Sequence, residues 1–332
     1  MAKTYPEVYL SENIKQVLEA KPPVPNKPTY PSRPKDQMGC YSFVAILCFV
    51  FTFVPFISDE YLRLEITTWT WIFSAILTFL LYWLTMHIYN TIKDKQWEKS
   101  YEVKHYYYLV AQWEKDVSAL KSNASITSYR KRAYLLLDDF KFDQQVHSCN
   151  AGDARVGASE VYFKQYLYDN STLTIYGPMC LGSYYPDIVL SSPDKRILFD
   201  IEIDEPYVLD TGKPIHYLDE SGVSVDRARN EKFTCHGFCV IRFSEKQVIL
   251  YPEECLSYIN SVINNISRGI DTIPESSPLP SEKKWTISEA VRKYEVGYRQ
   301  SYLPADLQSE DTVPTTPYIP PSFTEDTDDI PF

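Results

Sequence analysis

The chain has 332 residues, 44% of them hydrophobic, and a net charge of −11. That balance argues against a protein coated in nucleic acid, although it leaves a local site open. The seven cysteines (Cys40, Cys48, Cys149, Cys180, Cys235, Cys239, Cys255) form an odd, scattered set, which fits a reducing compartment and no disulfide framework.

Residues 1–37 are polar and Pro-rich after Ala20, so no cleavable signal peptide is expected. They read as an extended cytosolic tether with a short helix over 11–20. Two uncharged windows follow, 39–58 and 66–86. Each is about 20 residues, enough to cross roughly 30 Å of hydrocarbon as a helix, and neither carries the polar stripe of a core helix. A two-helix transmembrane hairpin, 38–58 and 66–86 within residues 38–89, is therefore expected. Tyr41, Tyr61, Trp69, Tyr82 and Trp83 stand where an aromatic belt would lie. Arg33 and Lys35 before the hairpin, and Lys93, Lys95 and Lys99 after it, place both termini in the cytosol.

Residues 90–156 read as a helical stalk and linker, with a helix at 128–140 leading into the main domain. That domain, 157–270, shows a helix at 158–168, strands at 173–177, 184–191 and 196–205, and a helix at 226–236. A strand at 238–243 and a long helix, broken near Pro252, complete it. The order αβββαβα predicts an α/β domain around one sheet. A linker and a helix at 285–303 occupy 271–303. Residues 304–332 hold seven acidic residues and no basic one, and are expected to be disordered.

The informative strand is 197–205. Alternation puts Phe199, Ile201 and Ile203 on one face and Asp200, Glu202 and Asp204 on the other, neighbours about 7 Å apart. Carboxylates so crowded repel unless something positive compensates, and Mg²⁺ is a natural partner. The alternative is a solvated edge strand beside Lys195 and Arg196. One short hairpin upstream, Asp187 can lie across from Glu202 on the same face. Cys235, His236 and Cys239 have poor zinc spacing and read as packing.

The segments GASEVYFKQYL (157–167), YPDIVL (185–190), FDIEIDEPY (199–207), GKPIHY (212–217) and DRARNEKFTCHGFCVIRFSEKQV (226–248) together resemble the PD-(D/E)xK nuclease superfamily. The resemblance is to its very-short-patch-repair-like branch and covers about a third of the chain. It implies a restriction-endonuclease-like fold with a mixed central sheet, and Mg²⁺- or Mn²⁺-dependent hydrolysis of phosphodiesters, in DNA by expectation. By this resemblance Asp187 is the first metal-binding acid, Glu202 the acid of the (D/E)xK element, and Glu160 an acid near the metal. Gln247 is a polar residue facing the site. The family lysine is replaced by Asp204, which would bind metal or act as base. Lys213 or His216 in the following turn would then supply the missing group, His216 being otherwise a surface-turn histidine. Arg229 would pair with phosphate, or with Glu231 or Asp226. The domain's own charge, ten Lys/Arg against sixteen Asp/Glu over 157–270, is unlike a basic DNA groove.

The chain ends Asp328-Asp329-Ile330-Pro331-Phe332, which resembles the acidic tip of bacterial single-stranded DNA-binding proteins. That resemblance implies docking of proteins that recognise such a tip, with Phe332 in an apolar pocket and the acids on a basic rim. The expectations are thus a nuclease anchored in a bacterial inner membrane, or a catalytically inactive nuclease-like module that tethers nucleic acid or repair proteins there. A third is a pure interaction protein. A homo-oligomer is compatible with each.

Overall fold

The computed structural model describes residues 3–33, 68–142, 145–148, 157–271 and 278–308. The chain divides into two compact units: Pro23–Lys121, and Met1–Pro22 together with Ser122–Phe332. The first expected span, 38–58, lies outside the described residues, as does the tail beyond 308.

In the Pro23–Lys121 unit, helix α2 runs Thr68–Glu98 and helix α3 runs Tyr101–Leu120. Ser100 separates them and caps α3, its hydroxyl accepting from the Val103 N–H. The stretch Ala75–Glu98, 24 residues, is long and apolar enough to cross a membrane by length and composition. Phe73, Phe79 and Trp83 on α2 are exposed. Among the described residues this is the one such helix, so a two-span hairpin is not displayed. The Pro-rich segment lies along α3: Trp113 Nε1 donates to the Pro25 carbonyl at 2.8 Å, and the Tyr30 and Tyr106 rings meet edge to face at 5.0 Å.

The other unit is built on a five-stranded mixed sheet in the order β2-β8-β7-β6-β4. Its strands are β2 (Glu7–Tyr9), β4 (Thr174–Ile175), β6 (Ile188–Ser191), β7 (Leu198–Asp204) and β8 (Phe238–Ser244). β7 and β8 are parallel and the other neighbours antiparallel. The parallel crossover is carried by helix α6 (Arg227–Cys235), which ends at Gly237 with φ of 89°, a left-handed conformation that favours glycine. Two short pairs, β3 (Val146–Ser148) with β5 (Met179–Leu181) and β1 (Thr4–Tyr5) with β9 (Glu282–Lys283), lie outside this sheet.

One sheet face is apolar. Ile188, Leu190, Phe199, Ile201, Ile203, Cys239, Ile241 and Phe243 pack there in one core. It is covered by α5 (Ala158–Asn170), α7 (Glu245–Leu250) and α8 (Pro252–Ser267), with α7 and α8 separated at Tyr251 just before Pro252. The opposite face carries Val189, Leu198, Phe238 and Val240 against Phe233 of α6, and beside them the acids of β7.

The N-terminal residues are not a tether. β2 is the edge strand of the sheet, and helix α1 (Glu12–Glu19) buries Ile14, Val17 and Leu18 in the main core. Their i, i+3, i+4 spacing makes one apolar stripe, and each such burial contributes roughly 1.5–3 kcal/mol. The helix expected at 128–140 is α4 (Asn123–Leu135), which starts earlier because Ser122 caps it. It belongs to this unit rather than to a stalk. The strand expected from 184 begins at Ile188, since Pro186 has no N–H to give the ladder. The helix expected at 285–303 is α9 (Ile287–Glu295), capped by a Thr286–Glu289 box and ended at Gly297 with φ of 63°.

Candidate functional site

The candidate site is a row of charges at one level of the sheet. Ile188 pairs with Ile201, so Asp187, one step outward, faces Glu202. Glu202 is in register with Arg242, and Arg242 with Glu7. The row therefore reads Asp187, Glu202, Arg242, Glu7 across four strands, on one face. Asp187 is fixed by the Ile203 N–H, which donates to its Oδ2 at 2.7 Å. From α6, Arg229 Nη2 donates to Glu202 Oε1 at 2.5 Å and to the Tyr185 carbonyl. Arg242 Nη1 approaches Glu202 Oε2 at 3.4 Å from the other side.

Three more acids join it. Asp200 lies one pair deeper, between Val189 and Val240 in register, and is wholly buried. Neither of its oxygens has a hydrogen-bond partner among the described residues. Glu160 stands in the first turn of α5, and Glu205 follows β7. A Cβ on Gly157, the residue capping α5, would lie 3.3 Å from Glu205 Oε1, so the bare glycine admits that carboxyl.

Burial and crowding make this group hold protons. Burial, then the Glu202 charge, push Asp187 up to about 8, against the pull of Arg229. Burial, then Asp187, push Glu160 up to about 9, with Lys164 opposing. Burial, then Glu202, raise Asp200 well above the carboxylate range, and burial, then Glu245, bring Glu205 to about 7. Crowded carboxyl oxygens are the donor chemistry that a hard divalent cation takes.

Asp204 takes a different part. Its Oδ2 accepts from the Tyr5 hydroxyl at 2.7 Å and Arg242 Nε at 3.0 Å, and its Oδ1 from Arg242 Nη2 at 2.5 Å. Lys284 Nζ stands 3.6 Å away. Burial favours the protonated form, but Arg242, His216 and Lys284 outweigh it and hold the carboxyl well below its usual range. His216 Nδ1 lies 3.1 Å from Asp226 Oδ1 and 3.4 Å from Asp204 Oδ1, while Nε2 is 3.8 Å from Glu205 Oε2. Burial opposes its charge, yet Asp204 and Asp226 raise His216 to about 9. One ligand atom each from Asp204, His216 and Asp226 lies within 4.8 Å of the others, a set able to hold a metal ion. Both oxygens of Asp204 already receive donors, so a metal there must displace Arg242 or Tyr5.

Asp187 and Glu202 thus come together with Glu160 in reach of Asp187's charge, whereas Asp204 is drawn aside into an ion cluster. The solvated-edge alternative fails, because β7 is the middle strand and Asp200, Glu202 and Asp204 are at most 1% exposed. Gln247 does not face the row. Its Oε1 caps the Ser244 N–H at 3.1 Å and its Nε2 donates to the carbonyls of Tyr5 and Pro280. Lys213 is exposed in its turn. Arg229 pairs with neither Glu231, which Arg227 takes, nor Asp226, which His216 takes. Arg242, Tyr5, Glu7 and Lys284 were not foreseen, since only the strand registers bring them to the acids.

Compared with family profiles, curated proteins and solved structures, the chain matches none.

Proposed function

We propose that this chain is a membrane-anchored, metal-dependent nuclease that hydrolyses phosphodiester bonds in DNA on a restriction-endonuclease-like fold. The observation that carries the reading is the facing pair Asp187–Glu202, with the wholly buried Asp200 carboxyl beneath it. Asp187, Glu202 and Glu160 would hold Mg²⁺ or Mn²⁺. The bound ion would supply Lewis-acid polarisation of the phosphate and a more acidic water. Glu205 and His216, adjacent at 3.8 Å, are placed to move a proton at the rim. Asp204 does not replace the family lysine in this reading, because Arg242 neutralises it. Lys164, one turn beyond Glu160 on α5, is a lysine whose charge acts on Glu160.

The apolar helix supports a membrane anchor, cytosolic placement of both termini rests on the second span expected at 38–58, and the DDIPF motif supports docking of proteins that recognise the tip of single-stranded DNA-binding protein. The second reading, an inactive tether, is favoured by one observation: two arginines already stand on Glu202.

The test is cleavage of plasmid and single-stranded DNA by the full-length, detergent-solubilised chain with Mg²⁺ or Mn²⁺, beside Asp187→Asn and Glu202→Gln. Metal-dependent cutting lost in both variants supports the enzyme. No cutting by a folded wild-type chain that still binds DNA selects the tether.

A further inference from the structure

Two arginines stand on Glu202, and they differ in how firmly they are held. Arg242 is wholly buried and donates to Asp204 through Nε and Nη2 and to Asn230 through Nη1. It is structural. Arg229 comes from α6 at the rim, with its side chain 17% exposed. One nitrogen, Nη2, makes both of its hydrogen bonds, to Glu202 and to the Tyr185 carbonyl. Its Nε is buried with no acceptor among the described residues. The guanidinium carbon rests 5.9 Å from the Phe233 ring centroid, a contact that leaves its donors unbound. The acids acting on it are Glu202, then Asp187, then Asp200, and the first two are among those that would hold a metal.

A guanidinium in that position does for the carboxylates what a divalent cation would do. Both cannot sit on Glu202 Oε1 at once, because they demand the same lone pairs and repel each other. An arginine displaced from a carboxylate has a planar fork of donors suited to phosphate, two residues from the Asp187 backbone it now braces at Tyr185. We propose that Arg229 is a resident counter-cation of the site: it competes with the divalent metal for Glu202 and, when metal enters, transfers to a phosphate of the nucleic acid. The inference rests on the metal-site reading above and adds a regulation to it. Metal and nucleic acid then bind with positive coupling, since each makes room for the other.

The experiment measures Mn²⁺ binding to the full-length chain in detergent by electron paramagnetic resonance, with and without a phosphorothioate oligonucleotide. Arg229→Gln is expected to bind Mn²⁺ about tenfold more tightly than wild type, the scale of one lost charge-assisted hydrogen bond. Arg229→Lys, which keeps a cation but not the fork, should stay near wild type. The oligonucleotide should tighten Mn²⁺ binding in wild type, and this coupling should shrink in Arg229→Gln. Unchanged or weaker Mn²⁺ binding by Arg229→Gln overturns the inference while leaving a wild type that binds Mn²⁺ and cuts DNA as the proposed nuclease. Absence of Mn²⁺ binding in every variant overturns both. Should Arg229→Gln fail to fold, the wild-type chain decides: an oligonucleotide that leaves its Mn²⁺ affinity unchanged overturns the inference.

Discussion

Replacing Asp187 by Asn should stabilise the metal-free protein while removing its metal site. The Ile203 N–H donates to Asp187 Oδ2 at 2.7 Å, and an Asn carbonyl oxygen can accept the same bond. Only the charge is lost. In the folded chain the carboxyl is pushed up to about 8 by burial and by Glu202, whereas unfolded it titrates near 3.9. Its folded pKa is raised, so wild type is relatively most stable below pH ~4. It then loses up to about 1.4 kcal/mol per pH unit until pH ~8. Asp187 shares its repulsion with Glu160 and Glu202, and water reaches its edge, so we take about 2 kcal/mol at pH 8, or about 4–8 °C in Tm for a unit of this size. Thermal melts in EDTA at pH 4, 6, 8 and 9 (conditions chosen to bracket roughly that window) check it. The variant should match wild type at the lowest pH, pull ahead as pH rises, and plateau above pH ~8. Saturating Mg²⁺ should reverse the order, since ligand at about a hundredfold its Kd adds about 2.7 kcal/mol to wild type alone. A variant no more stable than wild type at high pH in EDTA would refute the crowded-carboxylate argument.

Other expectations concern the frame around the row. Asp204→Ala strands Arg242 and Lys284 in the interior and should cost about 3–5 kcal/mol, whereas Asp204→Leu with Arg242→Met should cost much less, both read by melting. Tyr5→Phe removes the hydroxyl that donates to Asp204 and should cost about 2 kcal/mol. Deleting residues 1–22 removes β2 and α1 and should leave a chain without cooperative melting; an intact transition would contradict their place in the core. Deleting Phe332 should abolish capture of proteins that bind the single-stranded DNA-binding protein tip, and capture by the intact chain should weaken with salt. Unchanged capture would reduce the tail to a solubiliser.

Local patterns alone settled much of this molecule. The uninterrupted apolar run after residue 66, the strict alternation of 198–204 and the break before Pro252 are all short-range signals, and helices and strands follow where they point. The carboxylate face of β7 was visible for the same reason: a side-chain period of two needs no knowledge of neighbours. The short hairpin to β6 was also visible, but the neighbour on the other side was not. The parallel register of β7 on β8 decides that Arg242 falls opposite Glu202, and a three-residue strand at the N-terminus, too short to announce itself, brings Glu7 to the same row, while Tyr5 just before it reaches Asp204. That pairing turned Asp204 from a candidate ligand into the anion of a buried ion cluster. It also made the first 22 residues part of the domain. Contacts across more than 200 residues, such as Lys284 with Glu7, are set by tertiary packing, and charge at a buried site is decided there because each ion's cost depends on what stands beside it.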